Sequence, residues 1–243
     1  MNTIINAKIY DYEMYIENGY IVFSDLIHHV GEMKDYKKFN GKEIDAGGML
    51  VLPGMINAHS HIYSTFSKGL NLDFNPNDFK ELLEQLWWKV DRNLMIDHIY
   101  HSGIISGIQY LKNGVTTIID HHASKSITGS LNALYQALNN VCKMRSSLCF
   151  ETSDRFDIEK CIKENTQFIS KHQDSNSKGV FGMHASFTLK DETLKKISNK
   201  LNNHPIHIHV AEGEYDQAHA QKNYQETVVQ RLDRFGLITP GSI

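Results

Sequence analysis

From residue 51 onward the chain repeats one texture: a short apolar run of strand character, then a longer stretch with apolar residues at helical spacing. That repetition constrains the fold more than anything else in the sequence. Strands that alternate with helices are joined by crossovers, which lay the strands parallel and cover the sheet with helices. The apolar runs are Val51 to Ala58, Val115 to Asp120, Arg145 to Phe150, Val180 to His184 and Ile206 to Val210. Between the first two, Asn77 to Met95 carries Phe79, Leu82, Leu83, Leu86 and Val90 at helical intervals. Asp97 is placed to cap a helix ending at Gly114, and Thr128 to Lys143, Asp157 to His172, Asp191 to Leu201 and Tyr224 to Phe235 repeat the pattern. Periodicity alone does not separate a closed barrel from an open sheet. Five units are present and a sixth strand begins at Ser242-Ile243, whereas a (β/α)8 barrel needs eight. The chain therefore reads as α/β, an incomplete barrel cut short before its sixth strand is complete.

The first 50 residues differ. Thr3-Ile4-Ile5 and Tyr20-Ile21-Val22-Phe23 are β-rich, and Asn18-Gly19, Gly31 and Gly47-Gly48 read as turns. A small β subdomain over residues 1–50 is expected ahead of the barrel at residues 51–243. Composition serves mainly to exclude. With 41% apolar residues the chain can fill a core, while a net charge of −3 and the lack of a lysine- or arginine-rich stripe speak against a nucleic-acid surface. No run approaches the roughly 18 uncharged apolar residues of a membrane span. Met1 to Asp11 lacks the apolar core of a signal peptide. Cys142, Cys149 and Cys161 include no C-x-x-C pair, which suits free thiols in a reducing cytoplasm rather than disulfides or a cysteine metal site. The expected partner is a small-molecule substrate, with a homo-oligomer left open.

Chemistry gathers at the strand ends. His59-Ser60-His61 closes the first apolar run, and residues two apart on an extended chain point the same way, so two imidazoles can converge on one cation. A bare H-x-H is equally a chance surface pair. His207-Ile208-His209-Val210-Ala211-Glu212 closes the fifth run, with His209 facing the barrel mouth and Glu212 just beyond it. A histidine ligand beside a carboxylate is what metal-assisted hydrolysis requires: the metal acidifies water and the carboxylate moves its protons. Each motif alone has a bland rival, a core histidine or a solvated glutamate. Two such motifs at two ends of one alternating pattern favour the metal site. His184 ends the fourth run and could bind substrate or be structural. Asp120-His121-His122 ends the second, and either histidine could line the pocket or support the ligands. Glu151, Asp154 and Arg155 follow the third; Arg155 could hold an anionic or carbonyl group, or join a surface ion pair with Glu151, Asp154 and Asp157. Trp87-Trp88 could cap the pocket or pack a helix face. A Walker A loop, a G-x-G-x-x-G, a G-x-S-x-G elbow and the cytidine-deaminase zinc signature are all missing.

Val51-Leu52-Pro53-Gly54-Met55-Ile56-Asn57-Ala58-His59-Ser60-His61 closely resembles the opening metal motif of the amidohydrolase superfamily. Gly114-Val115-Thr116-Thr117-Ile118-Ile119-Asp120 resembles its second strand, and His209 to Glu212 its fifth-strand H-x-x-E. Within it, the chain is most similar to the cytosine/guanine-deaminase and chlorohydrolase branch. Leu86 to Arg92, Asp120 to Ser124 and Cys149 to Arg155 carry a finer likeness to aminohydrolases there. The resemblance implies a metal-dependent TIM-type barrel that hydrolyses C–N bonds other than peptide bonds, deaminating an aminated nitrogen heterocycle. Ring dechlorination and an inactive metal-binding fragment are the alternatives. It also implies one metal per full-length chain, usually zinc with iron the alternative. His59, His61 and His209 would be ligands, Glu212 the proton shuttle, and His184 a substrate contact; His122 and Arg155 are added as substrate-binding candidates from the residues themselves. Binuclear relatives often carry a lysine at the end of the fourth strand; His184 stands there, favouring one metal. A histidine after the sixth strand, a metal-binding aspartate after the eighth and the strands that complete the small β domain are expected beyond Ile243.

Overall fold

In the computed structural model, which describes residues 1–71 and 73–243, β-branched and aromatic residues draw the N-terminal stretch into strands. These are β1 (Asn2–Tyr10), β2 (Tyr15–Phe23), β3 (Ile27–Glu32), β4 (Lys42–Asp45) and β5 (Leu50–Val51). They form one sheet in the order β3-β2-β1-β4, with β5 also on β1; the β1–β2 and β2–β3 pairs are antiparallel and the other two parallel. Ala7 and Ile9, two apart on β1, pack with Ile21 and Ala46 into a small core. Asn18-Gly19 is not a turn. Both residues lie within β2, where a Cβ on Gly19 would meet Ile9 Cδ1 at 2.6 Å, so the glycine serves close packing. Gly31 likewise sits inside β3, whereas Gly47 and Gly48 make the expected turn with φ of +56° and +82°. This unit runs to Met55, and Ile56–Ile243 forms the second.

The second unit alternates strand and helix. Its strands are β6 (Met55–Ser60), β7 (Val115–His122), β8 (Arg145–Phe150), β9 (Ser177–Gly179), β10 (Phe181–Ala185) and β11 (Ile206–His209). β6, β7, β8 and β9 are neighbours in one sheet, with β7–β8 and β8–β9 parallel. β10 and β11 form a parallel pair. A parallel bridge between Thr152 and Met183 carries the pairing from the end of β8 to β10. Beyond β11, Ile243 exchanges hydrogen bonds of 2.9 and 3.1 Å with Ile206 and Ile208. The buried Asn165 reinforces the junction. Its Oδ1 accepts from the Phe150 amide at 2.9 Å and the Gly182 amide at 3.2 Å, while its Nδ2 donates to Phe150 O at 2.8 Å. A Cβ on Gly182 would strike the Phe150 carbonyl, so only glycine allows this approach.

The helices are α1 (Phe79–Leu82), α2 (Trp88–Asp91), α3 (Ile96–Lys112), α4 (Ser130–Tyr135), α5 (Ile158–Lys171), α6 (Asp191–Leu201), α7 (Glu214–Tyr224) and α8 (Val228–Arg234). The stretch expected as one helix from Asn77 to Met95 is broken by a π turn at Leu83–Trp87, and α4 runs into another at Gln136–Val141. Asp157 caps α5 through Lys160 N, as its position suggests. Asp97 does not cap α3: it lies in the first turn, Met95 is the cap, and the His98 ring accepts from Met95 N at 3.0 Å. The expected helix from Tyr224 to Phe235 covers α8 but misses α7. α7 is polar on most sides and buries only Asp216 and Ala220, so it carries no apolar stripe to read. Two apolar clusters sit between helices and strands. Ile118, Leu148 and Phe150 meet Ile99, Leu131, Leu134 and Phe168 in one; Phe181, Met183 and Ile206 meet Leu194, Ile197 and Leu232 in the other. Burying each such side chain contributes about 1.5–3 kcal/mol. Among the described residues no helix is long and apolar enough to cross a membrane.

Candidate active site

Three histidines meet at the C-terminal ends of β6 and β11. His59 Nε2 lies 3.2 Å from His61 Nε2, which lies 3.2 Å from His209 Nε2, which lies 3.3 Å from His59 Nε2. Nitrogens about 2.0–2.1 Å from a tetrahedral zinc stand roughly 3.3–3.4 Å apart, so the triangle has the size of one face of a zinc site. The donor chemistry fits as well. His61 Nδ1 donates to the His121 carbonyl at 2.8 Å, and His209 Nδ1 to the His184 carbonyl at 3.0 Å. A carbonyl only accepts, so the proton sits on Nδ1 and each Nε2 turns a lone pair inward. Burial, with the neighbouring His209, lowers the pKa of His59 and brings that of His61 down to about 4. These two imidazoles are thus neutral, the form that binds a metal. Lone pairs that converge repel one another, and a cation between them removes that repulsion.

Beside the triad is a cavity of about 440 Å³. His184, Glu151 and Glu212 line it, and Phe79, Leu82, Leu83 and Trp87 supply an apolar wall. The π turn gathers this wall: Leu82 immediately precedes it, and Leu83 and Trp87 are its two ends. His184 is held by its Nδ1, 3.2 Å from Thr188 Oγ1, and burial brings its pKa to about 4. Glu212 sits exposed on the loop after β11. That loop turns through Ala211, whose φ of +52° is unfavourable for a side chain bearing a Cβ. The buried Asp216 offsets the strain by accepting from Ala211 N at 3.0 Å and from Phe187 N at 3.2 Å.

Other expected site residues lie elsewhere. His122 is wholly buried, with Nε2 2.9 Å from Ser124 Oγ, and is absent from the cavity wall. The side chain of His121 is buried too, its Nε2 on Met183 O at 2.9 Å. Arg155 does not reach the cavity. It makes a bridge of 2.9 Å to Asp91 and one of 2.7 Å to Glu151, and lies 4.7 Å from the centroid of the Trp88 ring. This is not the surface cluster expected from sequence as the alternative: Asp91 and Glu151 are 1% and 2% exposed, Asp154 bonds Lys190 N and Thr193, and Asp157 caps its helix. Burial pushes Asp91 up to about 6 despite Arg155. Burial also presses Glu151 upward, but the charges of His184 and Arg155 outweigh it and its pKa ends below the usual value. Trp87 reaches the cavity and Trp88 stacks beneath Arg155.

Sequence reasoning missed two residues here. Glu151 puts a buried carboxylate on the cavity wall. His207 places its Nε2 2.9 Å from His59 Nδ1. Its signal was present, since His207 and His209 repeat the H-x-H spacing of His59 and His61 and share a strand face.

Comparison with known proteins finds relatives in sequence and in fold. A deaminase of 5-methylthioadenosine and S-adenosylhomocysteine from Pyrococcus furiosus is 29% identical over 93% of this chain and 56% of its own length. In fold, the chain superposes on atrazine chlorohydrolase TrzN from Arthrobacter aurescens, complexed with zinc, with a TM-score of 0.79 at 18% identity, covering 98% of this chain and 58% of the other. It superposes on E. coli guanine deaminase with a TM-score of 0.80 at 15% identity, covering 98% and 60%. The chain spans about half the length of the curated relatives it matches. The Amidohydrolase family matches residues 50–241, from just before β6 to past α8. That span takes in both strands that carry the histidine triad, and the chain belongs to the amidohydrolase family.

Proposed function

We propose that the protein deaminates an aminated nitrogen heterocycle by metal-assisted hydrolysis, with this chain supplying the metal-binding face of the site. The observation that carries the reading is the triangle of inward-facing Nε2 atoms beside a cavity lined by the exposed Glu212. His59, His61 and His209 would hold one zinc ion. When bound, zinc makes water a competent nucleophile near neutral pH. Glu212 takes the proton of the attacking water and delivers it to the leaving nitrogen, which departs as ammonia. His184 hydrogen-bonds the ring, and Trp87 and Leu83 shield it from bulk water. The Pyrococcus relative, a deaminase of adenosine derivatives, supports an aminated purine as the ring. On this reading the parallel strands β6, β7, β8, β10 and β11 are the first five of a (β/α)8 barrel, and the N-terminal sheet is part of a composite β domain. The free thiols of Cys142, Cys149 and Cys161 fit a cytoplasmic setting.

Ring dechlorination is the second reading, favoured by the fold shared with TrzN. Metal analysis and product assays on the full-length protein, supplied with aminated purines, pyrimidines and chlorinated triazines, test both. About one zinc per chain and ammonia release are expected; chloride release without ammonia selects the second reading. His59→Ala and His209→Ala should lose the metal. Wild-type metal content in both variants would refute the ligand assignment.

A further inference from the structure

The ligand histidines are not all anchored alike. Backbone carbonyls fix the tautomers of His61 and His209, but His59 leans on another imidazole, His207, whose two nitrogens could take either role. The ambiguity resolves one residue further on. Cys149 Sγ lies 3.6 Å from the Asp120 carbonyl and 3.6 Å from His207 Nδ1. The carbonyl can only accept, so the thiol proton points to it and the sulfur offers His207 its lone pairs. His207 Nδ1 therefore carries a proton and donates to sulfur, and His207 Nε2 is left to accept. His59 Nδ1 must then donate to it, which frees His59 Nε2 as a lone pair facing those of His61 and His209. Reversing the order would put a proton on His59 Nε2, in the middle of the triangle.

We propose that Cys149 and His207 form a buried relay that sets the tautomer of His59 and thereby makes it a metal ligand. Both are positioning residues, 0% and 1% exposed, and neither faces the cavity. The relay starts from a main-chain atom, so its direction is fixed by the pairing of β7 with β8, where His121 stands opposite Cys149. The proposal rests on the ligand reading above.

The test measures zinc affinity by competition with a chromophoric chelator in wild type, His207→Phe, His207→Gln and Cys149→Ala. Alongside it, long-range nitrogen–proton NMR reads the His59 tautomer in the metal-free wild-type protein. His207→Phe keeps the ring shape without an acceptor and should weaken zinc binding about 10- to 100-fold, the usual effect of losing a partner behind a ligand. Glutamine, whose Oε1 can accept from His59 Nδ1, should restore most of that affinity. Cys149→Ala should fall between wild type and His207→Phe. The NMR should find the proton of His59 on Nδ1. Wild-type affinity in His207→Phe, or a proton on His59 Nε2, would overturn the relay. If His207→Phe does not fold, the tautomer measurement decides alone. If the wild type binds no zinc, the ligand reading fails, and the same NMR result still judges the relay.

Discussion

Replacing His122 by glutamine is expected to make the metal-free protein more tolerant of acid. His122 is fully buried, packs edge-on against Tyr63 and Phe150, and has no partner for its Nδ1 among the described residues. Burial brings its pKa down to about 3, against 6.5 for an unperturbed ring. Between those values the unfolded chain takes up a proton that the folded protein refuses. Stability present above pH 6.5 is therefore lost as the pH falls towards 3. Each pH unit in that window costs about 1.4 kcal/mol, so on the order of 2 kcal/mol is gone by about pH 5 and on the order of 5 by about pH 3. Glutamine keeps a polar group for Ser124 and cannot titrate. Urea unfolding of both proteins at about pH 7.5 and about pH 5 reads the effect: the variant's loss of stability should be smaller by about 2 kcal/mol. His61, His184 and His207, also depressed by burial, titrate in both proteins and cancel. An unchanged pH dependence would refute the argument. A raised KM in the full-length variant would return His122 to the substrate contacts.

Glu212→Gln in the full-length enzyme should keep its zinc and slow turnover by about two to four orders of magnitude; metal analysis beside kcat reads both, and loss of the metal would make Glu212 a ligand. Asn165→Ala should cost about 2–4 kcal/mol, because it orphans the buried amides of Phe150 and Gly182; a denaturant midpoint equal to wild type would mean that other groups replace the lost bonds. Arg155→Met should destabilise the protein by about 3–5 kcal/mol near neutral pH by leaving Asp91 and Glu151 buried without their cation. Both carboxyls then rise in pKa, so this loss should shrink as the pH falls and they protonate; a loss independent of pH would assign it to packing on Trp88.

The order of strands and helices was legible because burial leaves a period. The run at Phe181–Ala185 is buried at every position, as in a parallel strand covered on both faces, and α6 carries its apolar stripe openly. The histidine triangle was legible for a related reason: H-x-H at a strand end fixes both direction and depth. What failed to show was whatever depended on distant chain segments. Arg155 and Glu151, four apart, suggest a local surface pair, and nothing near them announces Asp91, 64 residues upstream, which draws the pair into the interior. α7 has no stripe because its few neighbours ask for none. Gly19 looks like a turn because a glycine needed for close approach and one needed for positive φ are the same letter.

The anchoring of His61 and His209 separates two kinds of change open to a protein lineage. Each imidazole is aimed by a main-chain oxygen of an adjoining strand, at positions 121 and 184. Any residue type presents that oxygen. The side chain at 184 can therefore be exchanged to suit a new ring while the carbonyl of the same residue goes on orienting His209. On the proposed reading, metal affinity rests on the register of the sheet and ring selectivity on the side chains along its edge. A library randomised at 184 should retain zinc in most of its members, and could be searched for new substrates without first repairing the metal site.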